Sequence, residues 1–409
     1  MLITTKTKPE VIDMAQINFT LEYDFLVGLF KDSKEEAFAK IMEEILNQTL
    51  LAESRQQLGA ERYERSDGRS DYRNGTRIRS LTTRIGKIQL EVPRHRDLPF
   101  KTVLFDQYKR NEQGLILSMM EMVVQGVSTR NVQKITQQLC GESFSKSAVS
   151  EMCRELDGPV KKFRDRPLGT SCPFVMADAI YIKVREEQRI VSKAVLIAVG
   201  INPGGRKEVL GFDVCGAETE GTWRDFFTGL KDRGLSGVDM VVCDAHKGLR
   251  KAAGESFEGS TWQRCQVHFL RSLMDATPKK YQQGLSSELR EMFTAPSIKM
   301  ARGKRDSIIA DYADVAGKAV ELLSEGFEDA MAVMNLPSKY RVSLRTSNII
   351  ERENREIRRR EKVIGIFPNR ESALRLIGAV LLDDHNDWSS SQKLFDMTEY
   401  YEMKKLTAR

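Results

Sequence analysis

No stretch of this sequence is both apolar and long enough to cross a bilayer. The longest unbroken apolar run near the middle, Ala194 to Val199, falls far short of the roughly 20 residues a spanning helix needs. Residues Met1 to Glu10 carry no apolar core of the signal-peptide kind, so the expectation is a cytoplasmic protein with no membrane partner. Cysteine is sparse. The six residues Cys140, Cys153, Cys172, Cys215, Cys243 and Cys265 form no Cys-x-x-Cys pair, which leaves reduced and mostly buried thiols rather than a disulfide framework. The three tryptophans, Trp223, Trp262 and Trp388, all lie outside residues 270–340, so tryptophan stacking on bases is excluded there. Gly86-Lys87 lacks the glycine spacing of a phosphate-cradling loop, and no nucleotide cofactor is expected.

What is present is a chain of 409 residues, 41% of them apolar, enough for two to four packed units. The net charge of +6 is unevenly placed. Residues 61–110 hold 13 Lys or Arg against 7 Asp or Glu, and residues 346–370 hold 7 against 4. The remainder is slightly acidic. Concentrated positive charge suits a polyanion such as nucleic acid, although a charge cluster alone is equally compatible with a solvated surface.

The N-terminal region, 1–60, reads as helical. Phe38, Ile41, Met42, Ile45, Leu46 and Leu50 recur at helical spacing within 33–60, a stripe suited to core packing or a partner helix. A basic segment, 61–110, follows. Arg62, Arg65, Arg69, Arg73, Arg77, Arg79 and Arg84 are interleaved with Tyr63 and Tyr72. Ile88, Leu90 and Val92 then alternate as a strand that Pro93 should end, and Gly86-Lys87 suggests a hairpin turn. Such a hairpin can grip DNA, with Arg73, Arg77, Arg79, Arg94 and Arg96 as candidate contacts. Residues 111–160 read as three helices. Gly126 stops the first, Ser128 caps a second running to about Leu139, Gly141 turns the chain, and Ser145 caps a third from Lys146 to Leu156. The order resembles a helix-turn-helix, with Lys146, Ser147, Ser150 and Arg154 on the candidate recognition face. Small helical triplets without any DNA role are common.

From residue 170 the period changes to two. Strands are expected at Phe174–Val184, Val191–Ile201 and Lys207–Cys215, joined by a polar turn at Arg185–Arg189 and by Asn202-Pro203-Gly204-Gly205. A helix from Glu220 to Arg233, a strand from Val238 to Cys243, a helix from His246 to Phe257 and a short strand from Thr261 to Val267 follow. Three meandering strands followed by alternating helix and strand match the α/β ribonuclease H-like order over 170–269. Residues 270–343 read as an α-helical insertion punctuated by Pro278, Pro296 and Pro337. Residues 344–409 return to the core with a strong helix from Asn348 to about Arg360 and a C-terminal tail.

Three carboxylates stand out. Asp178 interrupts the apolar run from Phe174 to Val184, where a carboxylate costs free energy unless it is paired or binds a metal. Asp244 ends the Val241–Cys243 run, at the strand end where reactive groups of α/β sheets gather; capping the helix at His246 is the competing role. Glu351 shares one helix side with Asn348, Asn354, Arg355 and Arg358, while Ile349, Ile350 and Ile357 can anchor the helix. Taken alone, Glu351 is an ordinary charged residue. Together the three supply hard oxygen ligands for two Mg²⁺ or Mn²⁺ ions in phosphoryl transfer.

On these residues the chain resembles the Mutator-type DDE transposases of bacterial insertion sequences. The resemblance is carried by Tyr72-Arg-Asn-Gly-Thr-Arg-Ile-Arg79 and Gly86 to Arg96, by Ala177-Asp178-Ala179, by Cys243-Asp244-Ala245-His246-Lys247-Gly248, by Cys265-Gln-Val-His268 and by Asn348-Ile-Ile-Glu351-Arg352. It covers nearly the whole chain, and the gaps of 66 residues from Asp178 to Asp244 and 107 from Asp244 to Glu351 agree with the family's plan. The resemblance implies a catalytic, metal-binding triad of Asp178, Asp244 and Glu351. It also implies an auxiliary motif of His246, Cys265 and His268, the last two read as structural or as helpers in DNA handling; the nearby Arg352, Arg355, Arg358 and Arg359 can hold the phosphate backbone by their charge. One Cys/His pair cannot complete a four-ligand zinc site, so no zinc is expected. The implied partners are terminal inverted repeats and target DNA, with a homodimer or larger assembly on them. A non-catalytic DNA-binding regulator and a structure-specific nuclease or recombinase of the same fold are the rival readings.

Overall fold

The structure is a computed structural model and describes residues 23–29, 34–61, 64, 68–83, 86–102, 113–140, 143–169 and 171–407. Arg62, Tyr63, Arg65, Arg84 and Gly141 lie outside the described residues. The chain divides into two compact units, Met1–Val123 with Val127–Met152 and Val124–Gly126 with Cys153–Arg409.

The first unit contains helices α1 (Tyr23–Leu29) and α2 (Lys34–Leu58), the antiparallel hairpin β1 (Arg73–Thr83) and β2 (Gly86–His95), and helices α3 (Gln113–Val124), α4 (Thr129–Cys140) and α5 (Lys146–Met152). Its core joins Leu50 of α2 to Leu81, Ile88, Leu90 and Val92 of the hairpin. The α2 side chains also close one edge of β2: Glu43 and Asn47 accept the backbone N–H groups of Gln89 and Glu91 at 2.9 and 2.8 Å, which blunts an otherwise open strand edge. The expected apolar stripe of α2 is only partly packed. Leu50 is buried, whereas Phe38 is 62% exposed, because the hairpin covers the later turns of the helix. The strand of Ile88, Leu90 and Val92 does not stop at Pro93 but continues to His95. Pro93 is tolerated because it pairs with Thr76 beside an irregularity between Arg73 and Thr76, in a two-stranded sheet where every strand is an edge.

Gly126, at φ +88°, ends α3, and Ser128 and Ser145 cap α4 and α5 by accepting the N–H groups of Asn131 and Ala148. The third helix is shorter than its sequence suggests. It ends at Met152, and a single 3₁₀ turn over Cys153–Leu156 leads into α6 (Asp157–Asp165) of the second unit.

The second unit is built on a five-stranded sheet of β3 (Phe174–Glu186), β4 (Arg189–Ile201), β5 (Lys207–Cys215), β6 (Met240–Cys243) and β7 (Thr261–Arg264) in the order β5-β4-β3-β6-β7. The first three strands are antiparallel, and β6 and β7 run parallel to β3. Glu187 and Gln188, both at positive φ, form a two-residue turn between β3 and β4, which matches the strand twist. The next turn needs glycine. Gly205 sits at φ +79°, and an added Cβ there would press on the Phe395 carbonyl.

The strands are buried on both faces. Val175, Ala177, Leu196 and Val241 face a cluster with Trp223 and Phe227 of α7 (Glu220–Asp232) and Leu249 and Ala253 of α8 (Lys247–Ser256). Phe174, Met176, Met240 and Val242 face the opposite cluster. That cluster includes Tyr340 and Leu344 of α13 (Ser338–Leu344) and Tyr400 of α16 (Thr398–Thr407). Between β7 and α13, the helices α9 (Gln266–Asp275), α10 (Lys279–Phe293), α11 (Ile298–Tyr312) and α12 (Gly317–Met331) enclose a core of their own around Phe269, Leu289 and Phe327. The chain then returns through α14 (Asn348–Ile364) and α15 (Arg370–Ser390). The second of these falls in the C-terminal stretch to which the sequence pattern assigns no element. It lies against β5 and α6 so closely that a Cβ on Gly378 would meet Val160 at 2.4 Å and Phe212 at 2.7 Å.

Candidate active site

The register of two parallel strands builds the site. Phe174, Val175 and Met176 pair with Met240, Val241 and Val242. Asp178 lies two residues beyond the last of these pairs on β3, and Asp244 directly follows the end of β6, close enough for its charge to act on Asp178. Side chains alternate along a strand, so Asp178 shares the face of Phe174 and Met176, over which α14 passes. Asn354 of that helix donates its amide N–H to Asp178 Oδ2 at 2.7 Å, and the Ala179 backbone N–H reaches Oδ1 at 2.9 Å. Among the described residues no lysine or arginine pairs with Asp178. Burial therefore pushes its carboxyl up from 3.8 to about 6, opposed by the Ala179 hydrogen bond and reinforced by the neighbouring Asp244 charge.

Asp244 does not cap α8. His246 holds that position, its Nδ1 accepting the Leu249 N–H, while Asp244 Oδ1 accepts the His246 backbone N–H at 3.0 Å. This local turn fixes the direction of the carboxylate beyond the end of β6. Glu351 lies in the first turn of α14, where the helix dipole favours a negative charge. Ile350 and Ile357, both buried, seat this helix, and Arg360 donates from Nε to the Val124 carbonyl at 2.8 Å. Ser347 is the N-cap residue but makes no cap hydrogen bond with its side chain. Its hydroxyl instead lies 3.1 Å from Glu351 Oε1 and 3.2 Å from the Cys265 sulfur.

Cys265 and His268 belong to this centre as well. Cys265 is fully buried at the start of α9. Burial would raise its thiol, but hydrogen bonding with His268 and Ser347 outweighs this and lowers it. His268 is raised to about 9, first by Cys265, against the pull of burial, with Asp178 and Glu351 adding to the effect. The donors of Cys265, His268 and Glu351 lie within 4.8 Å of one another.

The three carboxylates have the donor type that a hard divalent cation takes, although among the described residues the donors that converge within 4.8 Å are those of Cys265, His268 and Glu351. Asp178, Asp244 and Glu351 offer carboxylate oxygens with no cationic side chain paired to them among the described residues, and the buried Asn354 Oδ1 has no hydrogen-bond partner there. Magnesium and manganese take such oxygen sets, completed by water and substrate phosphate.

Other candidate residues are dispersed. Arg352, Arg355, Arg358 and Arg359 are exposed on α14, with Arg355 and Arg358 on the side of Glu351 by helical position; Arg359 pairs with Glu356. In the first unit, Arg77 and Arg94 are exposed and line a cleft of about 350 Å³ with Asn74, His95 and Phe100. Arg79 is half-buried. Arg96 stacks over Tyr72, with Arg69 also within cation–π range of that ring. Arg73 instead fastens the chain, donating to the carbonyls of Ala60 and Glu61. Lys146, Ser147 and Ser150 are exposed on α5, whereas Arg154, also exposed, lies in the second unit and outside that helix. Sequence reasoning missed Ser347 and the role of Asn354. The signal for Asn354 was its place three residues after Glu351, on one helix side; for Ser347 there was none beyond a routine cap.

The model of the family described as "Transposase, Mutator family" matches residues 19–391. The chain is 43% identical over 386 residues to the transposase for insertion sequence element IS256 in transposon Tn4001 of Staphylococcus aureus, covering 93% of this chain and 99% of that one. It is 38% identical over 377 residues to the transposase for ISRM5 of Rhizobium meliloti, covering 92% and 95%. To the transposase for IS1081 of Mycobacterium tuberculosis it is 38% identical over 337 residues, covering 82% and 81%.

Proposed function

Because the chain belongs to the Mutator family of transposases, enzymes that cut and join DNA with divalent metal ions, we propose that Asp178, Asp244 and Glu351 are its catalytic carboxylates. On this reading the second unit is a ribonuclease H-like domain with α9 to α12 as a helical insertion. The three carboxylates hold two Mg²⁺ or Mn²⁺ ions. The first unit, with its basic hairpin and α3 to α5, binds the terminal inverted repeats, and two copies of the chain act on the two element ends.

One observation carries the reading. The parallel pairing of β3 and β6 brings Asp244 close enough to act on Asp178, and the helix carrying Glu351 rests on Asp178 through Asn354. The antiparallel β3–β4–β5 meander followed by parallel β6 and β7 supports the fold assignment.

The chemistry is two successive exchanges at phosphorus. Water attacks at the element end, and the bond to the 3′ oxygen breaks, leaving a 3′-hydroxyl. That hydroxyl then attacks target DNA, whose own 3′ oxygen departs. Bound divalent cations make the attacking oxygen more acidic and stabilise charge on the leaving oxygen. The chain's own residues do the positioning. Asn354 and the Ala179 N–H orient Asp178, the His246 N–H orients Asp244, and Ser347 steadies Glu351. Arg355 and Arg358, on the exposed side of the same helix, bind backbone phosphate.

The test is cleavage of a labelled duplex ending in the element's own repeat, with Mg²⁺ or Mn²⁺. Asp178→Asn, Asp244→Asn and Glu351→Gln are expected to bind that duplex as the wild type does and to cut it more than about a hundredfold more slowly, since loss of an outer-shell partner alone costs 10–100-fold. Normal cutting by any of the three removes that residue from the triad. Metal-independent binding by a wild type that never cuts supports a DNA-binding regulator instead.

A further inference from the structure

Cys265, His268 and Glu351 bring three unlike donors together: a thiol sulfur, an imidazole nitrogen and a carboxylate oxygen, all within 4.8 Å of one another. Magnesium has no use for the first two. Cys265 is the N-cap of α9 and His268 lies in its first turn, while Glu351 reaches them from α14. The sulfur is already oriented, since Ser347 directs its backbone N–H at it from 3.4 Å and its hydroxyl oxygen lies 3.2 Å away, and N–H···S bonds of this kind steady metal thiolates. His268 Nδ1 is buried and has no hydrogen-bond partner among the described residues, a state that buried polar atoms seldom tolerate.

From this geometry we infer that Cys265, His268 and Glu351 form a binding site for one thiophilic divalent cation, of the Zn²⁺, Co²⁺ or Cd²⁺ class. A sulfur, nitrogen and oxygen set selects these ions over Mg²⁺. Three protein ligands leave a fourth position open, so the cation can enter and leave, unlike one locked in a closed structural site. Binding requires a deprotonated sulfur and a neutral imidazole, so the proton held between Cys265 and His268 goes to solvent and a metal thiolate remains. The expectation of no zinc, drawn from a single Cys/His pair, did not foresee a carboxylate arriving from 83 residues further along the chain. One consequence rests on the catalytic reading of Glu351: a thiophilic ion here withdraws that carboxylate from the Mg²⁺ set and inhibits cleavage.

Cobalt titration of the full-length, metal-stripped protein tests the site. Wild type is expected to develop a thiolate-to-cobalt charge-transfer band that saturates at one ion and is displaced by Zn²⁺. The near-isosteric Cys265→Ser should abolish the band. His268→Gln, which leaves the thiol in place, should weaken cobalt binding at least tenfold. Cys243→Ser, which removes another buried thiol, should keep the band. No band in wild type, or an undiminished band in Cys265→Ser, overturns the site. In parallel, Zn²⁺ should suppress Mg²⁺-supported cleavage by wild type at concentrations at least tenfold lower than those needed for Cys265→Ser, each compared with its own zinc-free rate. Equal sensitivity overturns the inhibitory role. A cobalt band in a wild type that never cuts DNA supports the cation site while the catalytic reading fails, so the two failures are told apart.

Discussion

Asp178→Asn is expected to stabilise the metal-free protein at pH 8 while abolishing its catalysis. The reason lies in the carboxylate's surroundings. Asp178 is held among apolar strand residues, with one amide and one backbone N–H as hydrogen-bond partners and Asp244 alongside, and its carboxyl rises from 3.8 to about 6. Between those two values the folded state holds a proton that the unfolded state has released. The ionised group therefore opposes folding in full above pH 6, and the penalty fades as pH falls toward 4. The rise is equivalent to about 3 kcal/mol at most, and partial solvent access reduces it. Asparagine offers one side-chain oxygen where aspartate offers two, so the variant loses one of the two hydrogen bonds, worth about 1 kcal/mol. A net gain of about 1–2 kcal/mol remains, or roughly 2–6 °C for a unit of this size. Thermal unfolding in EDTA from pH 4.5 to 8 reads it directly. The variant should melt higher at pH 8, and its advantage should shrink steadily below pH 6. An advantage that is absent at pH 8, or equally large at pH 4.5, refutes the account of a desolvated, uncompensated carboxylate. With saturating Mg²⁺ the order should invert, because the ion stabilises only the wild-type site.

Three further outcomes follow from the structure. Asn354→Ala removes the 2.7 Å hydrogen bond to Asp178 and should slow cleavage by about 10–100-fold, raise the Mg²⁺ concentration needed for half-maximal rate, and leave DNA binding unchanged. Calorimetric Mn²⁺ binding separates this from a folding defect. Gly378→Ala forces a Cβ against Val160 and Phe212 and should cost about 1–3 kcal/mol in urea unfolding through overpacking of α15; a neutral result means that α15 is not so closely seated. Arg77→Ala with Arg94→Ala, which empties the cleft of its two arginines, should flatten the logarithmic salt dependence of repeat binding by about 0.9 for each phosphate that is no longer neutralised. An unchanged slope removes these arginines from the DNA interface.

Much of the molecule was legible because it is local. Apolar runs marked β3, β4 and β5 almost to their ends, since a strand buried on both faces leaves a nearly continuous apolar run. Asp178 was conspicuous because such a run has no place for a carboxylate without a purpose. Ser128 and Ser145 announced their helices through cap chemistry, which needs only the next three residues. The errors were also local in origin. Pro93 reads as a terminator wherever a strand has two neighbours, and the sequence does not say that β2 has only one. The α2 stripe reads as core whatever length of it the hairpin covers.

The sequence by itself therefore determined which segments are strands and helices, which carboxylate was out of place, and which family the chain resembles, because these follow from neighbours along the chain. Only the tertiary structure decided how separate segments meet. The register of β3 against β6 joins residues 66 apart in sequence and turns two isolated aspartates into a pair. The packing of α14 lays Asn354 on Asp178 and brings Glu351 to Cys265 and His268. Register and helix seating arise from the summed burial of Phe174, Met176, Val242, Ile350 and Ile357. No single one of these residues encodes that sum, because burial depends on what the fold sets against each side chain.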